Sequence, residues 1–122
     1  AASKQRGSLA MEVFLVESTP RADLELVKQT LPDHLAYQAQ QEQAGKLMFA
    51  GPLSDETGEQ MNAAGMIIYR ANSFDEARKL AEQDPMHSCG ARSFTLRRWL
   101  INEGSLQLDI KFSAQKVGFL DV

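Results

Sequence analysis

Cysteine is nearly absent from this chain: there is one, Cys89, in 122 residues. A single thiol cannot close an internal disulfide, so a reducing, cytoplasmic location is expected. Histidine is almost as scarce, with two copies. Two imidazoles and one thiol have no metal-ligand spacing, so neither a metal nor another cofactor is expected. Positive charge is in deficit, 13 Lys and Arg against 16 Asp and Glu for a net charge of -3, and no basic run offsets it. That balance argues against a nucleic-acid partner. No apolar run approaches the roughly 20 residues that span a bilayer, so no membrane partner is expected either. Gly58 and Gly65 lack the spacing of a phosphate-binding or dinucleotide-binding loop. The opening AASKQRGSLA has no signal-peptide core and no initial Met. Residues 1–10 are therefore expected to be flexible, processed or foreign to the natural protein, with Met11 a candidate start.

The hydrophobic content of 43% and charged content of 24% are ordinary for a soluble globular protein. The length is enough for a core without disulfides or metal, and with no linker or repeat in view one domain is expected over residues 1–122.

MEVFLVE, residues 11–17, reads as a strand buried on both faces. Thr19 and Pro20 look like the N-cap and first residue of a helix running to about Thr30. Pro32 is expected to restart a second helical segment over Asp33–Ala44, which Gly45 ends. KLMFAGPL follows as a strand ending at Gly51 and Pro52, and the proline makes it an edge strand. AGMIIYRA is a third strand, again apolar on both faces. Ser73 and Glu76 form a capping box, after which Phe74, Ala77, Leu80 and Ala81 make one helical stripe. Asp84 falls in that stripe just before Pro85 stops the helix. Ser93–Ile101 is a fourth strand. A fifth, Leu106–Phe112, alternates Leu106, Leu108, Ile110 and Phe112 with polar residues and should extend the sheet or cross to a partner. The tail 113–122 carries no assignment.

The order βαββαβ plus a C-terminal strand specifies an α+β fold of the ferredoxin-like, split-βαβ type, with both helices on one face of an antiparallel sheet. Two helices cover only one face, yet strands one and three are apolar on both. Since soluble monomers avoid large apolar patches, a homodimer through the sheet face is expected. The same topology brings the start of the first helical layer and the end of the second to one rim. His34 and Asp84 should meet there, beside Gly51, Pro52 and the loop carrying His87 and Cys89. An imidazole partner would explain a carboxylate on an apolar face.

PDHLAYQAQQEQAGKLMFAGPL resembles the His-helix-Gly-x-Leu-x-x-x-Gly-Pro-Leu pattern of the YCII-related proteins, and SFDEARKLAEQDPMHSCG is similar to their Ser-x-x-Glu-Ala helix ending in Asp-Pro. The resemblance spans about residues 11–100. It implies a dimeric α+β barrel with a His-Asp pair in a cleft, here His34 and Asp84 as catalytic residues.

An Asp bonded to one imidazole nitrogen fixes the tautomer and leaves the other nitrogen for acid-base work near neutral pH. Such a pair can deprotonate a phenol or carbon acid and assist loss of a leaving group without a cofactor. The expected function is therefore cofactor-independent lyase, dehydrochlorinase or isomerase chemistry on a hydroxylated small molecule, an aromatic one included. The bland alternative is a hydrogen bond that ties two helices together. Two rival functions are a non-catalytic ligand-binding or accessory protein and a cofactor-free oxygenase. Gly51, Pro52, His87 and Arg98 are the candidate substrate-binding residues. For these the plain readings are a strand end, a solvated loop histidine and an ion pair with an acid. Cys89 reads as an inert thiol.

Overall fold

A computed structural model describes residues 11–21, 23–61 and 64–120. Residues 1–10, on which the expectation of a processed or foreign leader falls, lie outside the described residues. Two compact units are formed, one over Glu12–Leu100 and one that includes Ile101 and the residues after it.

The larger unit carries β1 (Met11–Pro20), α1 (Leu24–Gln43), β2 (Leu47–Leu53), β3 (Ala64–Tyr69), α2 (Phe74–Gln83), α3 (Pro85–Ser88) and β4 (Arg92–Ile101). The four strands lie in the order β2-β3-β1-β4, which is the ferredoxin-like arrangement. β3 is antiparallel to both neighbours, with Phe14 opposite Tyr69 and Val16 opposite Ile67. β2 is an edge strand, so Pro52 is accommodated where no further ladder is needed.

One sheet face carries Phe14, Val16, Ile67 and Tyr69, which pack against Ala77, Leu80 and Ala81 of α2. The apolar stripe read from the sequence is thus the core seam. Ser73 caps α2 by accepting a hydrogen bond from the Glu76 N–H at 3.1 Å, and the Glu76 carboxylate accepts from the Asn72 N–H at 3.4 Å. The reciprocal bond reaches one residue further back than in a standard capping box.

α1 behaves differently from expectation in two ways. Thr19 and Pro20 belong to β1, and the helix is capped by Asp23, whose carboxylate accepts from Leu26 N–H at 2.9 Å. Pro20 ends a strand at no cost because a terminal strand residue can do without its N–H. Pro32 lies inside one continuous 20-residue helix instead of dividing two segments. Both Pro32 and Lys28, whose carbonyl loses its partner, are exposed, so water can satisfy that oxygen. Thr30 reinforces the preceding turn, its hydroxyl donating to the Leu26 carbonyl at 2.7 Å.

The two helices also differ in how they meet the sheet. α2 buries Ala77, Leu80 and Ala81, whereas Thr30 alone is buried in α1, and Leu31 and Leu35 stay exposed. α1 stands off the sheet above β2 and β3, and the gap it leaves becomes the site described below.

On the opposite sheet face Phe49, Ile68 and Leu15 form one cross-strand row, with Phe49 and Trp99 exposed. Arg97 pairs within the chain, 3.6 Å from Glu17. No helix of the described residues is long and apolar enough to cross a membrane.

In the second unit β5 (Leu108–Lys111) pairs antiparallel with β6 (Lys116–Phe119), where the sequence carried no assignment. β5 therefore does not extend the four-stranded sheet, and it is shorter than the expected Leu106–Phe112. Its backbone groups find a partner in the chain that follows, because a turn over residues 112–115 lets the strand fold back with Gln115 at positive φ. Leu108 faces Phe119 and Ile110 faces Val117, so the alternation produces one apolar hairpin face, exposed in the single chain.

Candidate active site

Asp84 occupies a junction of two helices. It is the C-cap of α2 and, with extended backbone angles, also the N-cap of α3, where its Oδ1 accepts the Met86 N–H at 3.0 Å. Pro85 then fills the first position of α3, which has no N–H requirement. A carboxylate that looked opposed by the negative end of one helix is thus hydrogen-bonded to the Met86 N–H at the start of the next. Asp84 is fully buried, at 0% exposure.

The second partner is His34. Its Nδ1 lies 2.8 Å from Asp84 Oδ1 and 2.9 Å from Oδ2. A carboxylate can only accept, so Nδ1 carries the proton and Nε2 is left as the acceptor nitrogen. His34 comes from the middle of α1, not from the start of a segment after Pro32. The meeting survives that correction because α2, with 10 residues, reaches about half the length of α1 and ends opposite its centre. Tyr37, one turn further along α1, donates its hydroxyl to the Leu80 carbonyl at 2.7 Å and fastens the two helices. Burial, with the Asp84 charge adding to it, pushes the Tyr37 phenol up to about 12, so it stays a neutral donor.

The gap under α1 is a cavity of about 460 Å³, within the range of roughly 300–1,000 Å³ usual for small-molecule sites. Leu31 and Leu35 roof it, Ile67 and Met66 floor it, and His34 faces into it. Gly51 and Pro52 line the same cavity, and a Cβ built on Gly51 would meet nothing within 4 Å. The glycine position is therefore open space on the cavity wall.

Two of the residues singled out from sequence stand elsewhere. Arg98 lies in a separate shallow depression with Leu15, Met66, Arg97 and Trp99. It is six residues beyond Arg92 on β4, roughly 20 Å along a strand, which is too far to reach the cavity. His87 is not part of the cavity lining but sits behind it. Its Nδ1–H donates to the Ala81 carbonyl at 2.7 Å, and its Nε2 accepts from the Ser18 hydroxyl at 2.7 Å. Burial lowers the His87 pKa below the ordinary histidine value, and the Ala81 bond opposes that shift only in part. The neutral imidazole matches these two bonds. Cys89 sits at the end of α3, its sulfur 3.5 Å from the Thr30 hydroxyl.

Three polar cavity residues escaped the sequence reading: Ser18, Gln38 and Arg92. Arg92 Nε–H donates to Ser18 Oγ at 2.9 Å and its Nη2 to the Ser18 carbonyl at 2.6 Å. A signal for Ser18 was present: it continues the buried Phe14–Val16 row on the helix-facing side of β1 yet is polar. Among the described residues no cluster of three His, Cys, Asp or Glu side chains could hold a metal ion.

Residues 11–100 match the YCII-related domain. No curated protein matches the chain. Among solved structures it is similar to the 5-chloro-2-hydroxyhydroquinone dehydrochlorinase of Burkholderia phenoliruptrix AC1100 in complex with 2,5-dihydroxybenzoquinone. The TM-score is 0.58 at 25% sequence identity, over 71% of this chain and 92% of that one. The β5–β6 hairpin falls outside the family match.

Proposed function

The chain belongs to the YCII-related domain family, and we propose that it is a small-molecule enzyme in which His34, oriented by Asp84, performs cofactor-independent acid-base chemistry on a hydroxylated ring. The observation that carries this reading is the two-oxygen grip of Asp84 on Nδ1, at 2.8 and 2.9 Å, on a ring that lines the cavity. Asp84 holds one tautomer, and Nε2 takes a proton from a phenolic hydroxyl or an acidic ring carbon. The electron pair released into the ring expels a leaving group or shifts a double bond, and the imidazolium returns its proton. Lyase, dehydrochlorinase and isomerase outcomes share this first step. The similarity to a dehydrochlorinase supports the reaction class. Gly51, which has no side chain, and Pro52 serve as a wall against the ring.

The test is turnover of a panel of hydroxylated and halogenated hydroquinones and phenols, with and without oxygen, followed by chloride release and product spectra. Oxygen-independent conversion that disappears in His34→Gln is the expected result. Conversion that needs oxygen would mark a cofactor-free oxygenase, and tight binding without conversion would mark a ligand-binding or accessory protein.

The proposal includes a homodimer joined through the sheet face that carries Leu15, Phe49, Ile68 and Trp99. Light scattering on dilute protein should give twice the chain mass, and Phe49→Lys should halve it. A stable wild-type monomer would remove this part of the reading.

A further inference from the structure

The cavity has a second polar end that the His34–Asp84 chemistry does not use. Arg92 forms no ion pair among the described residues, although its guanidinium is half-buried and lines the cavity. Ser18 takes two of its N–H groups, one on Nε and one on Nη2. An arginine has five such donors, so three remain, on Nη1 and Nη2. Ser18 is itself held: its hydroxyl donates to His87 Nε2, and His87 is anchored by the Ala81 carbonyl. Ser18 Oγ and His87 each have one donor role and one acceptor role, between the Arg92 donors and the Ala81 carbonyl acceptor, which fixes both protons. The guanidinium lies beside Gly65, the cross-strand partner of Ser18. An ideal Cβ there would be in ordinary van der Waals contact with Arg92 Nη2, at 3.8 Å, which puts the guanidinium directly beside this strand position.

We infer that Arg92, aimed by Ser18 and His87, is an anion subsite of this cavity, and that the ligand is a planar hydroxylated ring bearing an ionised oxygen, as phenolate, enolate or ring carboxylate. The inference rests on the reading of the cavity as the site of His34 chemistry and names its substrate class. A half-buried cation without a carboxylate partner has lost hydration that an anionic ligand restores, and a guanidinium matches oxyanions in geometry. Only the Asp84 charge bears on it from nearby, and that carboxylate is already engaged by His34 and by Met86 N–H. Apolar walls between the two ends suit the face of a ring. A ring held this way presents a negative oxygen to Arg92 while another of its protons faces His34.

The experiment compares two probes of nearly the same shape, 2,5-dihydroxybenzoquinone, which is an anion at neutral pH, and its neutral 2,5-dimethoxy ether. Wild-type protein should bind the anion more tightly. Arg92→Gln should weaken the anion by roughly 10- to 100-fold, the range of a lost charge-assisted hydrogen bond, and leave the ether unchanged. Arg92→Lys should retain part of the preference. Ser18→Ala should reduce it by a few-fold, because the guanidinium loses its guide but not its charge. Thermal unfolding of each variant checks that it folds. If Arg92→Gln does not fold, the Lys and Ala variants decide the matter: a preference unchanged in Ser18→Ala overturns the inference. So does equal weakening of both probes in Arg92→Gln, and so does a wild-type protein that binds neither probe. His34→Gln separates this inference from the proposed function. His34→Gln should lose turnover and keep the anion preference, whereas a wild-type protein that prefers the anion but converts no member of the phenol panel would sink the enzymatic reading and leave the subsite standing. Turnover that is intact in Arg92→Gln would do the reverse.

Discussion

The two histidines of this protein lie within one polar region and are built for opposite ends. His34 Nδ1 faces a carboxylate and the ring lines a cavity. His87 Nδ1 faces a backbone carbonyl, and its Nε2 is filled by a serine hydroxyl. Both partners of Nδ1 can only accept a hydrogen bond, so both rings hold the same tautomer. They differ in what happens if a second proton arrives. An anion beside His34 would stabilise an imidazolium, whereas a neutral carbonyl would do so far less. His87 would also have to break its bond from Ser18 to accept that proton. The local differences are an anionic side chain in place of a neutral main-chain carbonyl at Nδ1 and a serine hydroxyl filling Nε2 of His87, and they separate a group suited to moving protons from one suited to holding a neighbour still.

Converting the first histidine's environment toward the second is expected to have the largest effect. Asp84→Asn keeps the shape and the cap of α3 but offers Nδ1 a neutral amide that can also donate. Turnover should drop by about 10²- to 10⁴-fold with much smaller loss of ligand binding. His34→Gln should do the same, and the double variant should lose little more than either single one, because the pair acts as a unit. Additive losses measured in steady-state kinetics would show that the two side chains work separately.

Asp84→Ala goes further than Asn and tests structure instead of chemistry. It leaves the Met86 N–H and the His34 Nδ1–H without their buried acceptor, at a cost of about 1–3 kcal/mol in a chemical denaturation experiment. Asp84→Asn should cost less, since an amide oxygen can still cap α3. Equal destabilisation by the two variants would mean that the carboxylate charge, not the cap, holds the helix junction.

Gly51→Leu should crowd the cavity on the side of the first histidine only. The site is open space at an ordinary strand position, so the melting temperature should stay near wild type. Ligand affinity should fall by about tenfold, on the scale of a few misplaced methylenes. Unchanged affinity would move the ligand away from the Gly51–Pro52 wall.

The smallest expected effect belongs to the second histidine and appears as a pH slope. Burial lowers the folded pKa of His87 relative to an ordinary value of about 6.5. The unfolded chain then binds its proton first as pH falls. The stability tied to neutral His87 is complete above about pH 6.5, declines as pH drops below it, and levels off once pH has passed through the lowered folded value. Thermal unfolding of wild type between pH 7.5 and 5 should therefore show a steeper decline than His87→Gln, to be measured in the same buffers. Parallel curves would mean that His87 is not held neutral.

Much of this architecture was legible before any coordinates. The doubly apolar β1 and β3, the Ser73–Glu76 cap and the Phe74–Ala77–Leu80–Ala81 stripe are local patterns, and local patterns report secondary structure and burial directly. The pairing of His34 with Asp84 followed from element order, because a split βαβ fold leaves few ways to arrange two helices. The readings at Thr19, Pro20 and Pro32 failed for one reason. Each treated a local propensity as decisive where the surroundings overrode it. β1 continued past its expected end, with Arg21 N–H reaching the Ala91 carbonyl at 3.0 Å, and an exposed turn tolerated a proline. That Arg92 and not Arg98 lines the cavity was illegible for a different reason. Alternation along β4 says which face a residue occupies but not which end of the strand lies beneath α1.

The amino-acid sequence alone determined the element order, the faces that must be buried and the presence of an acid on an apolar stripe that required a partner. These depend on periodicity and on the cost of burying charge, which act within one element. Only the tertiary structure decided that α1 stands off the sheet while α2 packs down, which opens the cavity. Only it decided that Ser18, Gly65 and Arg92 converge there from three strands. Such convergence is set by register and by the height of one layer above another, distances that no single segment encodes.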